Sequence, residues 1–148
     1  MRLTDGSPVH LVTSEEYVVG GAMWATAADV RCIDLSPRDF RDPSLGAIWT
    51  AIRDVDEPTY PVVASRLLEL GWLDKVGAEP RLVELSGAVL LLYGGLPWLQ
   101  SHASIVKDWS NRRAAIKQAS QVAKAAYEGK KPTSLYDRSE YQNLDGLV

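Results

Sequence analysis

The stretch PWLQSHASIVKDWSNRRAAIKQASQVAKAAY, from Pro97 to Tyr127, decides the fold. Trp98, His102, Ile105, Trp109, Arg112 or Arg113, Ile116, Ala119, Ala123 and Ala126 recur every three or four residues, the period of one helical face. Lys107, Asp108, Asn111, Gln118 and Gln121 fall mostly on other faces. Pro97 is tolerable at a first helical position, and no glycine interrupts the run before Gly129. A helix of roughly 31 residues is about 46 Å long. That is more than the core of a 148-residue chain covers, so part of the stripe needs a partner helix.

Upstream, the same period repeats in shorter pieces. Residues 1–13, with Gly6 and Pro8, show no periodicity and read as a flexible arm. Thr13-x-x-Glu16 has the spacing of a capping box and predicts a helix start, followed by Val18, Val19, Ala22 and Met23. Gly20-Gly21 inside that helix predicts close packing against another helix. Thr26-x-x-Asp29 predicts a second short helix running through Val30 and Ile33. Leu35 to Phe40 reads as a loop with an aromatic anchor. Asp42-Pro43 reads as an N-cap and first helical residue, ahead of Leu45, Ile48, Trp49, Ile52 and Val55. Thr59 caps the next apolar face, Val62, Val63, Leu67 and Leu70, which Gly71 ends. Glu79 to Leu92 predicts a fifth helix with Leu82, Val83, Leu85, Val89 and Leu92 inward, broken by Gly94-Gly95. Nothing alternates as a strand does, so the fold class is all-α.

Composition narrows the function. The formal net charge is −3, from 16 basic and 19 acidic residues, which argues against a chain-wide nucleic-acid or membrane surface. The charge is unevenly placed. Residues 1–57 hold five basic and ten acidic side chains, and residues 102–131 hold seven and two. The basic set is Lys107, Arg112, Arg113, Lys117, Lys124, Lys130 and Lys131, which reads as a solvated helix face rich in cations toward its C-terminal end. The N-terminus has no signal-peptide pattern. The apolar run Ala88 to Tyr93 is far too short for a bilayer and reads as buried core, so a cytoplasmic location is expected.

No chemistry-bearing motif is present. There is no P-loop, no Gly-x-Gly-x-x-Gly, no His-Glu-x-x-His and no Gly-x-Ser-x-Gly. Cys32 is the only cysteine and reads as a small buried hydrophobe beside Val30 and Ile33. His102 lies on the long stripe with no nucleophile paired to it, and reads as an interface histidine. Catalytic residues, metal ligands and cofactors are therefore all expected to be none. Of the five tryptophans, Trp24, Trp49 and Trp72 are expected in a core, and Trp98 and Trp109 on the long stripe.

The order of these helices resembles the N-terminal domain of DnaB-type replicative DNA helicases, over roughly residues 14–128. Glu15-Glu-Tyr-Val-Val-Gly-Gly-Ala-Met23 resembles the family's opening helix, and Leu35-Ser-Pro-Arg-Asp-Phe40 its loop of proline, acid and Phe. Ile48-Trp49-Thr-Ala-Ile52, then Glu57-Pro-Thr59 through Leu67-Leu-Glu-Leu-Gly71-Trp-Leu73, are similar to the segments that follow. Val76-Gly77 with Leu82 and Leu85 comes next, and His102-Ala-Ser-Ile-Val-Lys107 with Arg112-Arg113 resembles the long helix. Leu45 stands where the family usually has His, and the family's RecA-like ATPase domain is not in this sequence, so no helicase activity carries over.

The resemblance implies an orthogonal bundle of short helices plus one long helix, the first arm of a helical hairpin. It implies a domain over 14–128, then a turn and a short or frayed helix or linker over 129–148. It implies a non-catalytic protein-interaction and oligomerisation module of DNA replication, acting in the primosome through subunit pairing and primase or loader recruitment. Trp98, His102, Ile105, Trp109, Arg113 and Ile116 are the candidate protein interface. Self-association as a dimer or higher is expected, or a monomer if the hairpin is truncated. No membrane partner is expected, and direct DNA binding is not favoured. The alternative is a small helix-turn-helix-like DNA-binding regulator built on residues 59–85, although that window has no cluster of Arg, Asn or Gln to read base edges.

Overall fold

The computed structural model describes residues 9–129. Six α-helices follow in order: α1 (Val9–Ala22), α2 (Ala27–Arg31), α3 (Pro43–Asp54), α4 (Tyr60–Glu69), α5 (Ala78–Ala88) and α6 (Leu96–Tyr127). Single 3-10 turns at Pro37–Asp39 and Asp74–Val76 connect them, and no strand occurs among the described residues. The chain divides into two compact units, one ending at Ser110 and the other beginning at Asn111.

The first unit is organised around α3. Asp42 caps this helix, its carboxylate accepting from the backbone N–H of Ser44, and Pro43 takes the position where its missing N–H is no loss. The 3.6-residue period then turns Leu45, Ile48, Trp49 and Ile52 into the core, where each is at most 1% exposed. Each such side chain contributes about 1.5–3 kcal/mol on burial. Trp49 keeps its polar atom satisfied, Nε1 donating to the Leu35 carbonyl at 3.0 Å, and the Phe40 ring lies on it at 5.8 Å. The predicted loop from Leu35 to Phe40 thus closes over α3 as a 3-10 turn.

Small residues set the helix spacing. A Cβ at Gly20 would collide with the Leu85 carbonyl, so α1 and α5 touch backbone to backbone there, as the Gly20-Gly21 pair predicts. Gly71 ends α4 at φ +74°, a conformation glycine adopts without strain, and the Trp72 N–H returns to the Leu67 carbonyl at 2.9 Å. Thr26 caps α2, as its spacing predicts, although the helix ends at Arg31.

Several expectations are corrected. α1 begins at Val9, so Thr13 lies inside the helix rather than capping it, and residues 9–13 are not an arm. Leu11, two residues earlier, is fully buried, and that anchor extends the helix upstream. Residues 1–8 lie outside the described residues. α5 stops at Ala88, not Leu92. At Val89 the backbone leaves helical geometry (φ −107°, ψ 4°), and the phase that would carry Leu92 inward is lost. Val89 is buried, but Leu90, Leu91 and Leu92 are 57%, 94% and 48% exposed, so this run is mainly surface. Val62 and Val83 are also exposed, because Val63, Ala64 and Leu67 on α4, and Leu82 and Leu85 on α5, take the inward positions. Trp24 is 48% exposed rather than core. Cys32 is exposed, since it caps the end of α2 while Val30 and Ile33 turn inward.

The helix-turn-helix alternative also loses its geometry. That motif joins its helices by a turn of about three or four residues. Here residues 70–77, with a 3-10 turn, separate α4 from α5.

In the second unit, residues 111–127 continue α6. Most of them are exposed, Ile116 at 63% and Tyr127 at 94%, while Arg113 and Val122 are half-buried and Ala125 is buried. Gly129 leaves the helix at φ +76°. The return helix expected beyond it lies outside the described residues. No helix among those described is long and apolar enough to cross a membrane.

Candidate interaction surface

Within the first unit, α6 buries Leu99, Ala103 and Val106, spaced four and three residues apart as one helical face requires. Trp98, His102, Ile105 and Trp109 flank that face and are half-buried, with Trp98, Ile105 and Trp109 packed against the core. Trp98 stacks on Tyr17 at 5.9 Å, meets Tyr93 edge-on at 5.5 Å, and has His102 at 4.6 Å. Such aromatic contacts each add about 0.5–1.5 kcal/mol beyond burial. Gly21 makes room for this cluster, since a Cβ there would stand 2.6 Å from the Trp98 ring. The predicted stripe is thus partly occupied within its own unit.

His102 completes the cluster. Its Nδ1 lies 3.3 Å from the Ser14 hydroxyl, and its ring meets Tyr17 edge-on at 5.3 Å. Burial pushes its pKa below the ordinary 6.5, which keeps the ring neutral at neutral pH.

Two carboxylates tie the loops to helices. Asp39 is 5% exposed. It accepts from the Ser110 hydroxyl at 2.6 Å, the Lys107 ammonium at 3.3 Å and the Ser36 N–H at 2.8 Å. Burial alone would raise its pKa, but the Ser110 and Ser36 hydrogen bonds and Lys107 outweigh it and hold the carboxyl below the usual range. Asp42 is handled in the same way. Burial raises it, while the Ser44 hydroxyl and N–H, then Arg81, lower it further. Arg81 spans to this cap from α5, reaching Asp42 at 3.3 Å and the Ser44 hydroxyl at 2.7 Å. Glu15, 1% exposed on α1, accepts from the backbone N–H groups of Arg41 at 2.7 Å and Asp42 at 3.2 Å. These three acids bind the chain's own loops and present no paired acid and base to a substrate.

Arg113 and Ile116 belong to the second unit, and among the six candidate interface residues Ile116 alone is exposed. Among the described residues, no three His, Cys, Asp or Glu side chains gather as a metal site would need. Leu45, where the resembled family usually has His, is a buried core residue.

Another apolar surface of the first unit lies around α5. Val83, Leu90 and Leu91 are exposed, and Trp24 and Tyr60 are the aromatic walls of a nearby cavity of about 370 Å³ that also includes Ser86. Sequence reasoning assigned Val83 and Leu92 inward and missed this face. Its signal was the second apolar series Val83, Gly87, Leu90, running beside the buried series Leu82, Leu85, Val89.

No family model matches the chain, and no curated protein matches it. Among solved structures, the N-terminal domain of the DnaB helicase from Mycobacterium tuberculosis superposes with a TM-score of 0.72 at 25% sequence identity. The match covers 90% of this chain and 96% of that one. Element order, all-helical content and the long final helix therefore agree with the resemblance read from the sequence, and the chain has the fold of a DnaB helicase N-terminal domain.

Proposed function

We propose that this chain is a non-catalytic interaction and oligomerisation module of a replicative DNA helicase, acting through subunit pairing and recruitment of a primase or loader. The observation that carries the reading is the near-complete match to a DnaB N-terminal domain. Surface chemistry supports it. A solvent-facing isoleucine at Ile116 and an apolar face on α5 are what an interaction module leaves open, and the buried carboxylates are occupied by the fold.

Sedimentation velocity over a range of protein concentrations tests the pairing. Wild type is expected to associate, and Ile116→Asp to weaken association while leaving the melting temperature of the monomer in place. A strictly monomeric wild type at millimolar concentration would end the self-association reading. Co-sedimentation with the primase and loader from the same cell tests recruitment, and binding of neither would remove that part.

A further inference from the structure

Charge is divided unequally between the two units. Within the first, residues 9–110 hold fourteen acidic and eight basic side chains. Within the second, residues 111–129 hold one acidic side chain, Glu128, and four basic ones, Arg112, Arg113, Lys117 and Lys124.

In the first unit, acid gathers at the end of α3. Asp54 is the last residue of that helix, Asp56 and Glu57 follow it, and all three are exposed. The helix macrodipole is negative at this end and favours cations, so three carboxylates there stand against the local field. Asp54 also lines a groove of about 500 Å³ where α3 meets α4, together with Glu69 and the apolar side chains of Val55, Pro61 and Val62. Arg66 lies in the same groove and reaches Asp54 at 3.3 Å and Glu69 at 3.0 Å, one guanidinium between two carboxylates. Arg31 reaches Asp56 at 3.9 Å, with both side chains in water. Arg53, beside them in sequence, donates to the Leu35 carbonyl at 2.8 Å instead. Four carboxylates thus share two paired cations around an apolar groove.

The second unit carries the opposite pattern on one helix. Ile116 on α6 is 63% exposed. Lys117 follows it, and Lys124, seven residues on, lies on the same side of the helix as Lys117. Both lysines are exposed. An isoleucine held in water beside two cations is the counterpart of an apolar groove edged by carboxylates.

We propose that the groove between α3 and α4 receives residues 116–124 of α6 from a second copy of this chain. Ile116 would sit against Val55, Pro61 and Val62, and Lys117 and Lys124 would face the carboxylates of Asp54, Asp56, Glu57 and Glu69. This is a helix laid in a groove, with one apolar anchor for affinity and charge for register. Charge complementarity selects the occupant, because the chain itself carries the basic helix that its acidic groove fits. The two surfaces differ, so each copy that fills one groove keeps its own groove open to the next. The proposal rests on the self-association reading above and supplies the surface that Ile116 meets.

Sedimentation equilibrium on the whole chain tests it with two charge-reversed variants. Asp54→Lys with Asp56→Lys gives the groove the charge of α6, and Lys117→Glu with Lys124→Glu gives α6 the charge of the groove. Each variant alone is expected to raise the dissociation constant roughly tenfold or more. Mixed in equal amounts, the two should associate again, because each groove then meets an α6 of opposite charge. Circular dichroism should match wild type for both, since all four positions are exposed. Should either variant fold poorly, wild type alone carries the test. Its association should weaken between about 50 mM and about 500 mM salt, as screening shortens the reach of charge. Wild-type association that holds or strengthens with salt overturns the groove contact, and so does a folded mixture that stays apart. If Ile116→Asp still weakens association in either case, the self-association reading survives that failure. A monomeric wild type overturns both.

Discussion

At the residue scale, single polar atoms hold this fold where apolar packing alone would leave loops free. Asp39 is the clearest case, because one buried carboxylate collects a hydroxyl and an ammonium from the distant α6 and a backbone N–H from its own loop. Asp39→Ala is expected to lower stability by about 2–3 kcal/mol, read by urea denaturation, since several hydrogen bonds to a charged group go at once. His102 gives the pH dependence. Its folded pKa lies below 6.5, so the unfolded chain binds its proton more readily. The stability it contributes is fully present above about pH 6.5 and is lost as pH falls through the unfolded value toward the folded one. Melts at pH 7.5 and 5.5 should show a drop that is smaller in His102→Gln. The depressed Asp39 and Asp42 act on a lower window. Their contribution is present above the ordinary 3.8 and disappears as acid protonates them below it. Cys32 and Trp24 show why residue-level readings failed: Val30 and Ile33 flank Cys32 and are buried, yet the end of α2 leaves the thiol in water. Sequence neighbours do not determine which way a helix-terminal side chain points.

At the element scale, helix existence was legible because caps and periodicity act locally. Asp42-Pro43, Thr26 and Gly71 each terminate or start a helix through bonds made within a few residues. Helix ends were less legible. The start of α1 depends on Leu11 finding the core, and the end of α5 on Val89 turning into it, both of which are tertiary facts. Paired glycine substitutions separate the two kinds of helix glycine. Gly20→Ala should destabilise by about 2–3 kcal/mol, since the backbone of α5 stands where the methyl would go. Gly87→Ala should stabilise the monomer by about 0.4–1 kcal/mol, since the site is open and the unfolded chain loses freedom. Thermal or urea unfolding of dilute protein checks both. Equal effects would mean that α1 and α5 do not touch at Gly20.

At the scale of the whole molecule, charge argues against nucleic acid as the main partner. The net charge is −3, and Lys107, one of the seven cations of the basic stretch, is bonded to Asp39. Titration with duplex DNA at two salt concentrations is expected to show no binding, because phosphate contacts are strongest at low salt and would appear there first. Low-salt affinity that vanishes as salt rises would restore the DNA-binding alternative. The sequence by itself determined the all-α class, most helix positions, the long final helix and the resemblance to a DnaB N-terminal domain. Those features follow from period, caps and glycine breaks, which are properties of neighbouring residues. Only the tertiary structure decided which apolar residues stay in water. The half of the stripe expected as an interface around Trp98 packs within its own unit, whereas Val83, Leu90 and Leu91, expected inward, face out. The reason is that periodicity reports how many apolar faces a helix has, and the arrangement of its neighbours decides which face they cover.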